Sequence, residues 1–167
     1  MIARALVALG VFLGVVGVGG TALAGCTDPG EPGVDWRRCI FDRQDLQGLN
    51  LSKSRLRDAT FGRANLSKTN LSGADAYRAK FLSAMLADSN FDGARLVEAD
   101  FTKADLARAS LRNADLRRAR LFRTVLRGAD LTGAKLRGAD LLNADLTGAT
   151  WVDGKRICAN RSIGKCQ

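Results

Sequence analysis

The chain has 167 residues, with 26 lysines and arginines against 17 acids and a formal net charge of +9. That length holds one domain. With no histidine anywhere, the chain lacks the commonest general base and the commonest transition-metal ligand.

Residues 1–24 have the pattern of an export signal. Arg4 gives a positive start, Ala5 to Gly20 carries no charge, and Thr21-Ala22-Leu23-Ala24 ends in small residues suited to cleavage after Ala24. A retained anchor fits less well, because a span needs roughly 20 strongly apolar residues and this run is short and glycine-rich. Leu23-Ala24-Gly25-Cys26 also reads as a lipobox, at which Cys26 would be lipidated and the protein tethered to a membrane. Four cysteines follow Ala24, namely Cys26, Cys39, Cys158 and Cys166, and an even count in an exported chain suggests disulfides. Three pairings are open. Local closure, Cys26 with Cys39 and Cys158 with Cys166, demands least of the intervening chain, whereas lipidation of Cys26 would strand Cys39.

Residues 25–38 form an expected N-terminal cap, and from Cys39 to about Asp153 a five-residue pattern runs without a slip. Its large apolar centres start at Phe41, Leu46, Leu51, Leu56 and Phe61 and run to Leu146 and Trp151; only Ala76 is small. Two places before most centres stands alanine, as in ADLTGAKLRGADLLNADLTGAT at 129–150. A period of five suits neither helix nor straight strand. Two inward positions flanking one outward residue make a short extended side, and the remaining two residues must turn a corner. Glycine takes the second corner position at Gly48, Gly73, Gly93, Gly128, Gly133, Gly138 and Gly148, where a tight turn calls for positive backbone angles. Phe41, Phe61, Phe81 and Phe101 recur every twenty residues, as do Asn50, Asn70 and Asn90. Four sides to a coil would stack these like upon like, giving an internal aromatic column and an amide ladder.

The uninterrupted A-D/N-L-x-x units, clearest in Ala104-Asp105-Leu106 and Ala129-Asp130-Leu131, resemble the pentapeptide-repeat proteins. The resemblance implies an all-β fold, a right-handed quadrilateral parallel β-helix of nearly six coils and about 28 Å length. Ala76 is its expected weak point, and Tyr77 an outward, isolated aromatic. The Cys…Val-Asp-Trp…Cys start and the Trp…Asp-Gly…Cys…Ser-Ile-Gly…Cys finish resemble the flanks of exported bacterial members. They imply disulfide-clipped caps at 25–38 and 154–167, each seated with a tryptophan, Trp36 or Trp151. A metal site joining all four cysteines would need the two ends to meet, which a prism of that length forbids.

Candidate contacts lie on the outward positions. Arg108, Arg112, Arg117, Arg118, Arg120, Arg123, Arg127 and Arg137 suggest a surface for polyanions such as lipopolysaccharide, anionic lipid, wall polymer or nucleic acid. A second cationic column holds Arg43, Arg63, Lys103 and Arg123 at twenty-residue spacing, Ser83 interrupting it. The best-characterised family role, protecting a topoisomerase by mimicking DNA, requires an acidic cytoplasmic rod, and a basic exported one opposes it. Some other parallel β-helices cleave glycans with clustered acids. Here Asp75, Asp100, Asp105, Asp115, Asp130, Asp140 and Asp145 all occupy the place before a centre, where hydrogen bonding near the turn explains them. The close pair Glu98 and Asp100 is not set apart from the rest. The expectation is therefore a non-catalytic, cofactor-free protein, periplasmic or extracellular, that binds an envelope protein or polyanion or has a structural role there.

Overall fold

The computed structural model describes residues 25–167; the expected export signal and the first half of the lipobox, Leu23-Ala24, lie outside them. Every fifth residue from Asp35 to Asp130 forms a parallel bridge to the residue twenty positions on. Four pentapeptides thus complete one coil. The walls are single bridges between turns rather than continuous strands.

The backbone accounts for the period. In a representative unit the centre Phe41 N–H donates to Thr60 C=O (2.7 Å), Arg43 N–H donates to Gly62 C=O (2.8 Å), and Thr60 N–H donates back to Cys39 C=O (2.9 Å). Gln44 N–H closes the corner on Phe41 C=O (3.1 Å). Four of five N–H groups are satisfied this way, leaving the one just after the centre. The Asp or Asn before the centre accepts it: Ala107 N–H donates to Asp105 Oδ1 and Thr132 N–H to Asp130 Oδ1, both at 2.9 Å. Where Thr60 and Ser110 stand instead, Asp42 and Asp92 of the preceding coil accept from Gly62 and Arg112. The Asp or Asn of the A-D/N-L signature thus supplies the acceptor for this main-chain donor wherever it stands before a centre.

Four interior columns result. Side 1 carries Phe41, Phe61, Phe81, Phe101, Leu121 and Leu141; side 2 carries Leu46 to Leu146; side 3 carries Leu51, Leu71, Phe91, Leu111, Leu131 and Trp151; side 4 carries Trp36, Leu56, Ala76, Leu96, Leu116 and Leu136. On side 1 the rings of Phe41, Phe61, Phe81 and Phe101 stack in sequence with centroids 5.5, 5.1 and 4.8 Å apart. The amide ladder reduces to one rung, Asn70 Nδ2 donating to Asn50 Oδ1 at 3.2 Å. Ala76 leaves no exposed hole. On side 3, Phe91 meets Phe81 and Phe101 edge-on at 5.9 Å.

The caps differ from each other. Cys26 is bonded to Cys39 and Cys158 to Cys166. Trp36 is 2% exposed and occupies a true centre position, one unit before Phe41, so the regular register begins inside the expected cap. Its Nε1 donates to Asp28 C=O at 3.2 Å. Trp151 is only half-buried. At that end the chain reverses, and Ile157 and Ile163 form antiparallel bridges with Thr150 and Asp145, covering sides 3 and 2.

A charged outer wall as the candidate polyanion interface

Side chains one place before each centre stack along the outside at the bridge positions. On side 4 this column reads Asp35, Arg55, Asp75, Arg95, Asp115, Lys135, alternating in sign at every coil. The corner beside it reads Arg38, Asp58, Arg78, Glu98, Arg118 and alternates too, as do Lys80, Asp100, Arg120 and Asp140 on side 1. Ion pairs follow: Arg95–Asp75 at 3.1 Å, Arg57–Asp75 at 2.6 Å, Arg78–Asp58 at 3.5 Å, Arg118–Glu98 at 3.7 Å and Arg120–Asp100 at 3.7 Å. Tyr77 is not an isolated aromatic. The Arg95 guanidinium lies 4.8 Å over its ring and its hydroxyl donates to Glu98 at 3.3 Å. This alternation is legible in the sequence once charges are read in steps of twenty rather than along the chain.

The eight candidate arginines are distributed over all four sides. Arg108 grips Asp88 through two bonds of 2.7 and 2.8 Å, Arg112 pairs with Asp130, Arg117 with Asp115 and Arg127 with Asp145. Arg118 and Arg120 belong to the alternating ladders. Arg123 lies over the Phe122 ring at 5.1 Å, and Arg137 has no ion pair among the described residues. The structure gathers Arg117, Arg118 and Arg137 around a shallow hollow lined by Val97, and Arg118 and Arg120 around another with Arg78, Lys80, Glu98 and Asp100. The Arg117 hydrogen bond holds the Asp115 carboxyl below the usual carboxylate range against a smaller opposing effect of burial, and Arg108 does the same for Asp88. Six of the eight guanidiniums thus already neutralise an acid of the same wall.

The corner of side 1 is different. Arg43, Arg63, Lys103 and Arg123 are exposed, stack coil upon coil with Ser83 between the pairs, and make no ion pair among the described residues. Each sits at a positive φ of 55–62°, which turns the corner and directs the residue away from the flat sides. Exposed Leu82 and Met85 flank the gap at Ser83.

The seven candidate aspartates are spread over four sides. Asp75, Asp100, Asp115, Asp130 and Asp145 are paired with arginines, Asp105 and Asp140 accept turn N–H groups, and Glu98 and Asp100 lie within the ion-pair ladders. Among the described residues there is no group of three or more acids or cysteines arranged to hold a metal, and no helix long and apolar enough to cross a membrane.

A four-sided coil of pentapeptides, closed by stacked backbone bonds and walled by short polar columns, defines a repeat-solenoid protein. The family model for pentapeptide repeats matches eight copies, over residues 33–63, 54–93, 84–123 and 114–150. The chain belongs to the pentapeptide repeat family. Among solved structures it is similar to HetL, a pentapeptide repeat protein involved in heterocyst differentiation regulation from the cyanobacterium Nostoc sp. strain PCC 7120. Identity is 34%, covering 72% of this chain and 67% of that one, with a TM-score of 0.51. A second Nostoc pentapeptide repeat protein, alr5209, is 32% identical over 52% of this chain and 69% of its own, with a TM-score of 0.48. QnrB1, a plasmid-mediated fluoroquinolone resistance protein, is 20% identical over 72% of this chain and 70% of its own, at a TM-score of 0.46. Nothing matches among curated proteins.

Proposed function

We propose that this protein is an exported, non-catalytic binding or structural module of the cell envelope that contacts polyanions along the side 1 corner. The observation that carries the reading is the column Arg43, Arg63, Lys103 and Arg123, none of which forms an ion pair among the described residues. Stacked coils set successive corners about 4.8 Å apart, so this edge presents a dense line of cations to closely spaced phosphates or sulfates. The Cys26–Cys39 bond supports a disulfide-capped soluble protein over a lipid-anchored one, since it occupies the sulfur that lipidation needs. A DNA-mimic role is opposed by the +9 charge, which attracts nucleic acid instead of replacing it. Glycan cleavage finds no support in acids that are all engaged with arginines or turn N–H groups.

Heparin and lipopolysaccharide serve as probes. The variant R43S/R63S/R123S is expected to bind about tenfold more weakly and to elute from heparin at lower salt. The variant R112S/R117S/R127S, which removes arginines already paired with aspartates, is expected to lose less. Unchanged binding by the corner variant would remove the proposal.

A further inference from the structure

Each corner of the prism is two residues wide, and the corner that ends side 1 is unlike the others. Its second row is the cationic column Arg43, Arg63, Lys103 and Arg123, interrupted by Ser83. Its first row reads Asp42, Gly62, Leu82, Thr102, Phe122 and Leu142. From Leu82 onward this row carries no charge, and no other corner among the described residues has a leucine or phenylalanine in its first row. Leu82 and Leu142 are 40% and 61% exposed, and Phe122 is half-buried with the Arg123 guanidinium 5.1 Å from its ring. Met85, 49% exposed, and half-buried Val125 stand on the far side of the cation row.

With coils about 4.8 Å apart, the strip from Leu82 to Leu142 runs about 14 Å beside Lys103 and Arg123. The nearest acids are engaged with the wall. Asp42 accepts from Gly62 N–H at 2.7 Å, Asp105 from Ala107 N–H at 2.9 Å and Asp140 from Leu142 N–H at 3.0 Å, while Asp100 lies 3.7 Å from Arg120.

An edge that sets apolar side chains beside unpaired cations matches a partner with both characters. A sulfated or phosphorylated polymer would meet the cations and leave Leu82, Phe122 and Leu142 in water. A bilayer presents anionic headgroups at its surface and the acyl boundary just beneath, so both rows are satisfied in one contact. Removing the apolar row from water then adds to the electrostatic attraction, and the long Lys and Arg stems let their charged ends stay at the headgroups.

We infer that this edge docks onto an anionic lipid bilayer, with Lys103 and Arg123 on the lipid phosphates and Leu82, Phe122 and Leu142 at the acyl boundary. The inference rests on the polyanion reading of the same corner and identifies the partner as a membrane surface. Only a few side chains enter, so the contact is peripheral, reversible and weakened by salt.

Co-sedimentation of the exported chain with phosphatidylcholine vesicles, with and without phosphatidylglycerol, tests this beside heparin chromatography. The wild type is expected to sediment with the anionic vesicles and not with the zwitterionic ones. The variant L82S/L142S is expected to bind anionic vesicles about tenfold more weakly and to elute from heparin unchanged, with an unchanged thermal midpoint because both positions are exposed. The variant R43S/R63S/R123S is expected to lose both kinds of binding. I157S/I163S, which removes exposed apolar residues from the returning tail, is expected to lose neither. A wild type that is retained on heparin but ignores anionic vesicles overturns the inference and leaves the polyanion reading standing. So does an L82S/L142S variant that binds vesicles as the wild type does, or an I157S/I163S variant that loses as much. A wild type with no affinity for either probe removes the polyanion reading and this inference together.

Discussion

From Arg38 to Gly148 the second corner residue of each pentapeptide adopts a left-handed backbone, yet more of these positions hold Arg, Lys, Asp, Asn, Glu or Ser than glycine. A side chain there costs about 1 kcal/mol or more, and the ladder bond from that residue's N–H holds it in place. Gly93 isolates this term, because a methyl group added to it meets nothing within 4 Å. Gly93→Ala is therefore expected to lose about 1 kcal/mol in urea unfolding with no steric contribution. Ser83→Gly is expected to gain about half as much, since the unfolded chain becomes freer as the strain is relieved. The carboxylates give a second residue-scale consequence. Asp115 is held low by the Arg117 hydrogen bond, Asp88 by Arg108 and Asp35 by Arg37, each against a smaller opposing effect of burial. For Asp75, Asp130 and Asp145 burial is the largest single influence and opposes the shift. The hydrogen bonds and charges of neighbouring residues together outweigh it and leave these carboxyls low as well. A depressed carboxylate contributes stability above its unfolded value, about 3.9. That stability is lost as pH falls through the lower folded value. The thermal midpoint is expected to be level from neutral pH to about 5 and to fall steeply below about 4. Asp115→Asn, which keeps an oxygen for the Arg117 N–H, should flatten part of that fall.

At the scale of the side, each column is a stack whose members share one environment, so substitutions are felt one coil away. Ala76 is fully buried between Leu56 and Leu96 on side 4, and Phe91 lies edge-on to Phe81 and Phe101. Ala76→Leu alone is expected to destabilise by about 1–3 kcal/mol through overpacking. Phe91→Leu alone is expected to destabilise through loss of buried ring volume and its edge-on contacts. The side 4 ladder behaves likewise. Arg95→Glu places an acid between Asp75 and Asp115, and the penalty should shrink in high salt, because these groups are exposed enough to be screened. Alternation also discourages a slip of one coil, which would set like charges against like.

At the scale of the molecule, a solenoid needs both ends covered to avoid open-edge pairing. Here the N-terminal cap seats Trp36 and the C-terminal tail covers two sides, each clipped by a disulfide. Reduction is expected to lower the thermal midpoint measurably by freeing both caps in the unfolded chain, with loss of protection in hydrogen exchange beginning at the terminal coils.

The sequence by itself determined the period, the inward leucines and alanines, the aspartates at the turns and the grouping of four units per lap. Each is a local requirement repeated until it cannot be mistaken: a five-residue step, a donor needing an acceptor two residues back, a phenylalanine every twenty. Leu106 and Leu126 are buried as that pattern demands. Which arginines are already spoken for was decided only in three dimensions, because partners such as Arg108 and Asp88 lie one coil apart and meet only when coils stack. The ring contacts of Phe91 with Phe81 and Phe101 have the same origin, since they depend on what lies across a coil rather than along the chain.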